Sequence, residues 1–112
     1  MALNTLPNAE HAMVQLSKLR DYVLNPQHPE GRHKARVFRS ALGLIVDDAE
    51  ELQRALLQAA RLHEALPAGN DQFGSRYRVD FEMVRQSRSA RIRSLWIVTP
   101  DNIPRLTSCY VL

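Results

Sequence analysis

The sequence predicts an α+β domain in which helices come first and are packed on one face of a C-terminal antiparallel β-meander. Three observations carry this reading. Across residues 8–66, apolar side chains recur at helical spacing. From Arg76 to Met83, polar and apolar residues alternate strictly, the period of a strand with one dry and one wet face. The length, 112 residues, is that of a single domain, helical over 8–66 and sheet over 73–112.

The first helix is expected from Asn8, an N-cap residue type, with Met13, Leu16, Leu19 and Val23 on one face. It ends at Asn25-Pro26, because a residue before proline disfavours the helical region. Asn25 to Gly31 is a turn-rich loop that holds His28 between two prolines. A second helix spans about 32–42, with Val37, Phe38, Ala41 and Leu42 as its apolar stripe and Gly43 as its stop. The third opens on an acidic, capping-box-like start, Asp47 with Glu50, and carries Leu52, Leu56, Ala59, Ala60 and His63 near one face. Pro67, Gly69 and Asn70 are expected to close it.

The strands follow. Gln86 to Ser89 is a polar connection of hairpin length. Arg91 to Val98 is central, apolar on both sides in part. Thr99 to Asn102 is a turn, and Arg105 to Leu112 the last strand. The dry face is expected to carry Tyr77, Val79, Phe81, Met83, Ile92, Trp96, Leu106 and Tyr110. The other face carries Arg76, Arg78, Arg91, Arg93, Arg105 and Thr107.

Composition excludes several function classes. No apolar run approaches the roughly 20 residues of a membrane span. The first residues lack the charged and apolar regions of a signal peptide. One cysteine, Cys109, rules out an internal disulfide framework and a cysteine-based zinc site. Cys109 reads as packing rather than a nucleophile. There is no Gly-rich phosphate loop, GxSxG or HExxH, and no cofactor or metal is expected. Asp47, Asp48, Glu50 and Glu51 read as a helix start, and His11 and His63 as helix-surface residues.

The formal charge is +3, with 15 Lys+Arg, of which only Lys18 and Lys34 are lysines. Guanidinium groups pair with phosphate oxygens and stay charged, so an arginine-lined sheet face suits phosphates. The same face is equally read as a solvated surface in which Asp80 and Glu82 are cross-strand partners. In the loop and second helix, His28 or its neighbour His33 could move a proton near neutral pH, and Lys34 could meet phosphate charge.

The stretch from Lys18 to Phe38 (KLRDYVLNPQHPEGRHKARVF) is distinctive. So are Phe73-Gly74-Ser75-Arg76-Tyr77, Arg91 to Ile97 and Ile103 to Thr107. Together they resemble a bacterial family catalogued as domain of unknown function 6883, over about residues 18–112. Its members are small stand-alone proteins and C-terminal modules of polymorphic toxins. The order of helices then meander is similar to the barnase–EndoU–colicin–RelE nuclease group, an analogy of fold. The resemblance implies a metal-independent RNase in which a 2′-hydroxyl attacks the adjacent phosphate and leaves a cyclic phosphate. The motif positions here are His28 for proton transfer, Lys34, Arg76 and Arg93 for phosphate charge, and Thr107 for positioning. His33, Arg78, Arg91 and Arg105 would bind substrate around them. This chain departs from the pattern at Gly31-Arg32-His33, which adds a second histidine, and at Ser94, where Thr is usual.

The expected partners are RNA and a cognate immunity protein or antitoxin. The expected site of action is the bacterial cytoplasm, reached directly or as part of a secreted toxin. The alternative is a non-catalytic module (antitoxin, immunity or regulatory partner) that uses the same arginine-rich face to bind.

Overall fold

A computed structural model describes residues 4–112. Helices precede a four-stranded antiparallel sheet, β1 (Ala65–Asp71), β2 (Gly74–Arg85), β3 (Arg88–Val98) and β4 (Pro104–Val111) side by side in that order, the α+β arrangement expected. The helical part differs from expectation at its start. Asn8 lies in the left-handed region (φ 54°) and its side chain donates to Asn102 O at 2.8 Å, tying the N-terminal segment to the β3–β4 turn. Only a 3₁₀ turn, Ala9–His11, follows it. Residues 12–15 are extended. Met13 N donates to Pro104 O and Leu106 N donates to Met13 O, a parallel bridge opposite Arg105. The helix begins only at Leu16: α1 (Leu16–Lys18) runs into a π-helical turn, Leu19–Val23, that buries Leu19 and Val23. Met13 shares the helical spacing by coincidence; strand pairing claims its backbone.

Helix α2 (Arg32–Leu42) buries Ala35, Phe38 and Leu42, while Val37 is 44% exposed and leaves the expected stripe. Gly43 caps it at φ 70°, a conformation that costs glycine little. Arg85 Nη1 then donates to the carbonyls of Leu42 and Gly43, each at 3.1 Å. A 3₁₀ turn, Val46–Asp48, leads into α3 (Ala49–Leu62), whose Leu52, Leu56, Ala59 and Ala60 are buried. The capping carboxylate is Asp48, accepting Ile45 N at 3.0 Å, rather than Asp47. His63 has left the helix with extended backbone and is exposed.

Strand β1 (Ala65–Asp71) occupies residues expected to be a helix-closing loop. Its Pro67, Gly69 and Asn70 read as turn formers, but at a sheet edge a proline's missing N–H costs no essential ladder bond. A bulge between Pro67 and Asn70 absorbs the irregularity. Strands β2 (Gly74–Arg85) and β3 (Arg88–Val98) pair to their ends, so the hairpin turn is Gln86–Ser87, with Gln86 at φ 56°.

Strand β4 (Pro104–Val111) carries a second correction. Leu95 pairs with Ser108, yet Trp96 pairs with Leu106, so Thr107 is an extra residue in a bulge. One inserted residue exchanges the faces of everything beyond it. Cys109 and Val111 therefore join Leu106 on the helix-covered side, and Tyr110 stands on the arginine side opposite Arg93. The expected positions of Tyr110 and Cys109 are thus interchanged. Cys109 is fully buried, and that burial pushes its thiol up to about 12, which removes it as a nucleophile.

The core joins Phe38, Leu19, Leu52 and Leu56 from the helices to Val79, Phe81, Ile92, Trp96 and Leu106 from the sheet. Trp96 Nε1 donates to Ser94 Oγ at 2.9 Å, and Ser94 Oγ donates to Val79 O at 2.7 Å. Ser94 is completely buried, and its hydroxyl satisfies an indole that has no access to water. Ser94→Ala is expected to lower the unfolding free energy by about 1–3 kcal/mol, measured by urea denaturation, because the Trp96 N–H loses its acceptor.

Candidate functional site at the edge of strand β4

The loop between the π-turn and α2 is built to hold one imidazole. Asn25 Oδ1 accepts Gln27 N at 2.9 Å, and Asn25 Nδ2 donates to Asp21 O at 3.2 Å. Glu30 N and Gly31 N then both donate to His28 Nδ1 at 3.0 Å. A nitrogen that accepts two N–H groups carries no proton, so the neutral ring is the tautomer with its proton on Nε2. The ring stands edge-on to Tyr22, with centroids 4.5 Å apart and planes at 68°. Gly31 permits this closeness: a Cβ there would run into the carbonyl oxygen of Tyr22. His28 thus presents an N–H donor rather than a base.

Both lysines of the chain come to the same three residues of β4. Lys18 Nζ donates to Leu106 O at 3.2 Å, and Lys34 Nζ to Ser108 Oγ at 3.1 Å. Thr107, the bulge residue, lies between them and donates its hydroxyl to Leu95 O at 3.0 Å, which leaves its oxygen free to accept. Lys34 is also 5.4 Å from the ring centroid of Tyr22 and 5.6 Å from that of Tyr110, within cation–π range of both. Lys18, Asp21, Tyr22, His28 and Thr107 line one cleft of about 500 Å³. It offers two ammonium groups at or beside it, one imidazole N–H, one carboxylate and one hydroxyl acceptor. That set can bind a phosphodiester and stabilise charge on its oxygens.

The expected arginine face is present but is engaged with acid. Arg93 makes a two-pronged pair with Asp80, both bonds at 3.0 Å, and Arg78 lies 3.8 Å from the same carboxylate. Arg76 is 2.9 Å from Asp71, and Arg105 is 3.0 Å from Asp101. Arg91 lies across from Glu82 in the β2–β3 register. Hydrogen bonding from Arg93 holds the Asp80 carboxyl below its usual range, and the Arg105 and Thr99 contacts do the same, more strongly, for Asp101. Four arginines therefore meet three carboxylates, with Arg91 facing Glu82 in register, the arrangement of a charge-paired sheet face.

Of the residues expected to act together, the fold unites His28, Lys34 and Thr107 at the β4 edge. Arg76, Arg78 and Arg91 do not line that cleft and stand on the outer sheet face, while Arg105, also on that face, lines a small groove with Lys18 and Leu106 that borders it. Arg93 is on that face too, but as the cross-strand neighbour of Tyr110 it is the arginine connected to the Lys34 side. His33 is exposed and lines a separate groove with Lys34 and Tyr110. Sequence reasoning does not single out Lys18, Asp21, Tyr22, Ser108 or Tyr110 as site residues. The available signal is the scarcity of lysine: in an arginine-dominated chain, both lysines end at one strand segment. Among the described residues, no group of three or more His, Cys, Asp or Glu could hold a metal, and no helix is long and apolar enough to cross a membrane.

Comparison with known proteins gives the class first. A family model described as Domain of unknown function (DUF6883) matches residues 5–112, and the chain belongs to that family. No curated protein sequence matches it. Among solved structures, it is similar to one chain of a contact-dependent growth inhibition toxin–immunity protein complex from Klebsiella pneumoniae 342. The identity is 17% and the TM-score 0.70, over 92% of this chain and 95% of that one. The two share a fold at that level of identity.

Two expectations test how this site is held together. Gly31→Ala should cost about 1–3 kcal/mol and shift the His28 ring resonances, read by denaturation and NMR, because the loop must move off Tyr22. Asp80→Asn should cost about 1 kcal/mol at neutral pH. The depressed carboxyl of Asp80 contributes its stability above the ordinary value of 3.8 and loses it as pH falls toward the lower folded-state value. The gap between variant and parent should therefore close in strong acid.

Proposed function

We propose that this chain is a toxin-type domain that cleaves RNA at the β4-edge cleft, without a metal ion. The observation that carries this reading is that Lys18 and Lys34 reach Leu106 and Ser108 on either side of Thr107, which shares one cleft with His28. In the reaction the ribose 2′-oxygen bonds to the adjacent phosphorus and the bond to the 5′-oxygen breaks. A 2′,3′-cyclic phosphate and a 5′-hydroxyl remain. The Lys18 ammonium and the His28 N–H stabilise charge on the non-bridging oxygens, and Thr107 accepts a hydrogen bond that orients the sugar. The Asp21 carboxylate takes the 2′-hydroxyl proton, and the Lys34 ammonium returns one to the leaving oxygen. His28 acts as a donor to the phosphate instead of shuttling a proton, because its Nδ1 is already committed to two backbone groups. Arg93 supports Tyr110 beside Lys34, and the other strand arginines serve the sheet.

A second reading is a non-catalytic partner: an immunity protein, antitoxin or regulator. One observation favours it: the arginine face is largely neutralised by its own carboxylates. That one structural neighbour is a chain of a toxin–immunity complex fits either role.

Incubation of the pure protein with total RNA in EDTA separates the two. The cleaving reading expects fragments ending in cyclic phosphate. His28→Ala and Lys34→Ala should each slow cleavage by about 10²–10³-fold, the usual cost of one lost charge-stabilising donor. Arg76→Ala should leave the rate nearly unchanged. Intact RNA, or cleavage indifferent to both cleft variants, would sink the reading and leave the binding module.

A further inference from the structure

We propose that the groove beside Lys34 is a nucleobase subsite, so that the substrate is single-stranded RNA with one base unstacked. This rests on the RNA-cleaving reading and adds to it the strand state of the substrate.

The groove is lined by His33, Lys34, Val37, Tyr110 and Val111 and has a volume of about 260 Å³. It shares no lining residue with the His28 cleft, and Lys34 neighbours both. Lys34 Nζ is almost equidistant from the two ring centroids that mark the two spaces, 5.4 Å to Tyr22 and 5.6 Å to Tyr110. A phosphate drawn to Lys34 therefore has both the polar cleft and an apolar, ring-bearing groove close by. A nucleotide has the same division: a charged phosphate and sugar joined to a flat, largely apolar base.

The fold leaves the side chains of the groove facing outward. Val37 sits on α2 beside buried Phe38, but it faces outward at 44% exposure. His33 is exposed and forms no hydrogen bond among the described residues. Tyr110 stands on the outer side because the Thr107 bulge rotates it there. An imidazole, a phenol and two valine side chains make a platform on which any base can stack. Lys34 supplies the complementary charge for the phosphate attached to that base. A base inside a duplex is stacked on both faces and cannot enter such a groove without leaving the helix, whereas an unpaired base can.

The test uses a short single-stranded RNA with 2′-O-methyl sugars, which cannot be cut, carrying one 2-aminopurine. Binding should quench the 2-aminopurine fluorescence as the base stacks. His33→Ala and Tyr110→Leu should each weaken binding by about 5- to 150-fold and reduce the quenching. Tyr110→Phe should retain both, since it keeps the ring. Val37→Ser gives a third reading should Tyr110→Leu fail to fold. The same sequence as a duplex should bind far more weakly. No quenching, equal affinity for the duplex, or unchanged affinity in His33→Ala and Val37→Ser would overturn the subsite. Quenching without cleavage of natural RNA would keep the subsite and remove the nuclease reading. Cleavage with a KM unaltered by these variants would do the reverse.

Discussion

Strand β4 holds one more residue than β3 can pair, and the extra residue is Thr107. Because side chains alternate along a strand, the bulge lets both Leu106 and Cys109 reach the core although they are three positions apart. The same step turns Ser108 and Tyr110 outward, toward Lys34. Without it, Tyr110 would compete for core volume and the thiol of Cys109 would sit at the surface. The bulge thus serves packing and site together. It lies at the sheet edge, where an unpaired residue disturbs the fewest ladder bonds.

The helical half is arranged to reach that edge. The π-turn after α1 carries Asp21 and Tyr22, and Gly31 lets the following loop close against it. The loop fixes His28 through its own backbone, which requires no second side chain and leaves Nε2 free to donate. Lysines, rather than arginines, reach Leu106 O and Ser108 Oγ. A compact ammonium on a flexible stem fits between a carbonyl, a hydroxyl and a ring face, while the guanidinium fork suits paired carboxylates on the sheet. The two cation types therefore have separate roles. Arginines stabilise the outer sheet face against Asp71, Asp80 and Asp101, and lysines furnish the cleft.

Much of this is legible in the sequence. The helix-then-sheet order follows from a change in hydrophobic period, and the buried positions of α3, β2 and β3 follow from strict repetition. Of the five motif positions the resemblance implies, the fold brings His28, Lys34 and Thr107 to one edge, while Arg76 and Arg93 lie on the outer sheet face with Asp71 and Asp80. Three features are not legible. The start of α1 is obscured because Met13 has helical spacing but pairs with Arg105. Strand β1 is hidden because proline, glycine and asparagine mark turns locally and are tolerated at an edge. The faces of β4 cannot be read beyond Thr107, because alternation in sequence does not register an inserted residue.

Residue type and local period determine, without tertiary information, that this chain places helices before an antiparallel sheet, buries an aliphatic core between them, and concentrates arginine on strands. Which cations are neutralised is a different question. A guanidinium is spent or available according to whether a carboxylate stands within about 3 Å, which the turns decide for Arg76 with Asp71 and Arg105 with Asp101, and the β2–β3 register decides for Arg93 with Asp80. Turns, strand register and the β4 bulge make that choice. They match the arginines to acids and leave Lys18, Lys34 and His28, from separate segments, around one edge.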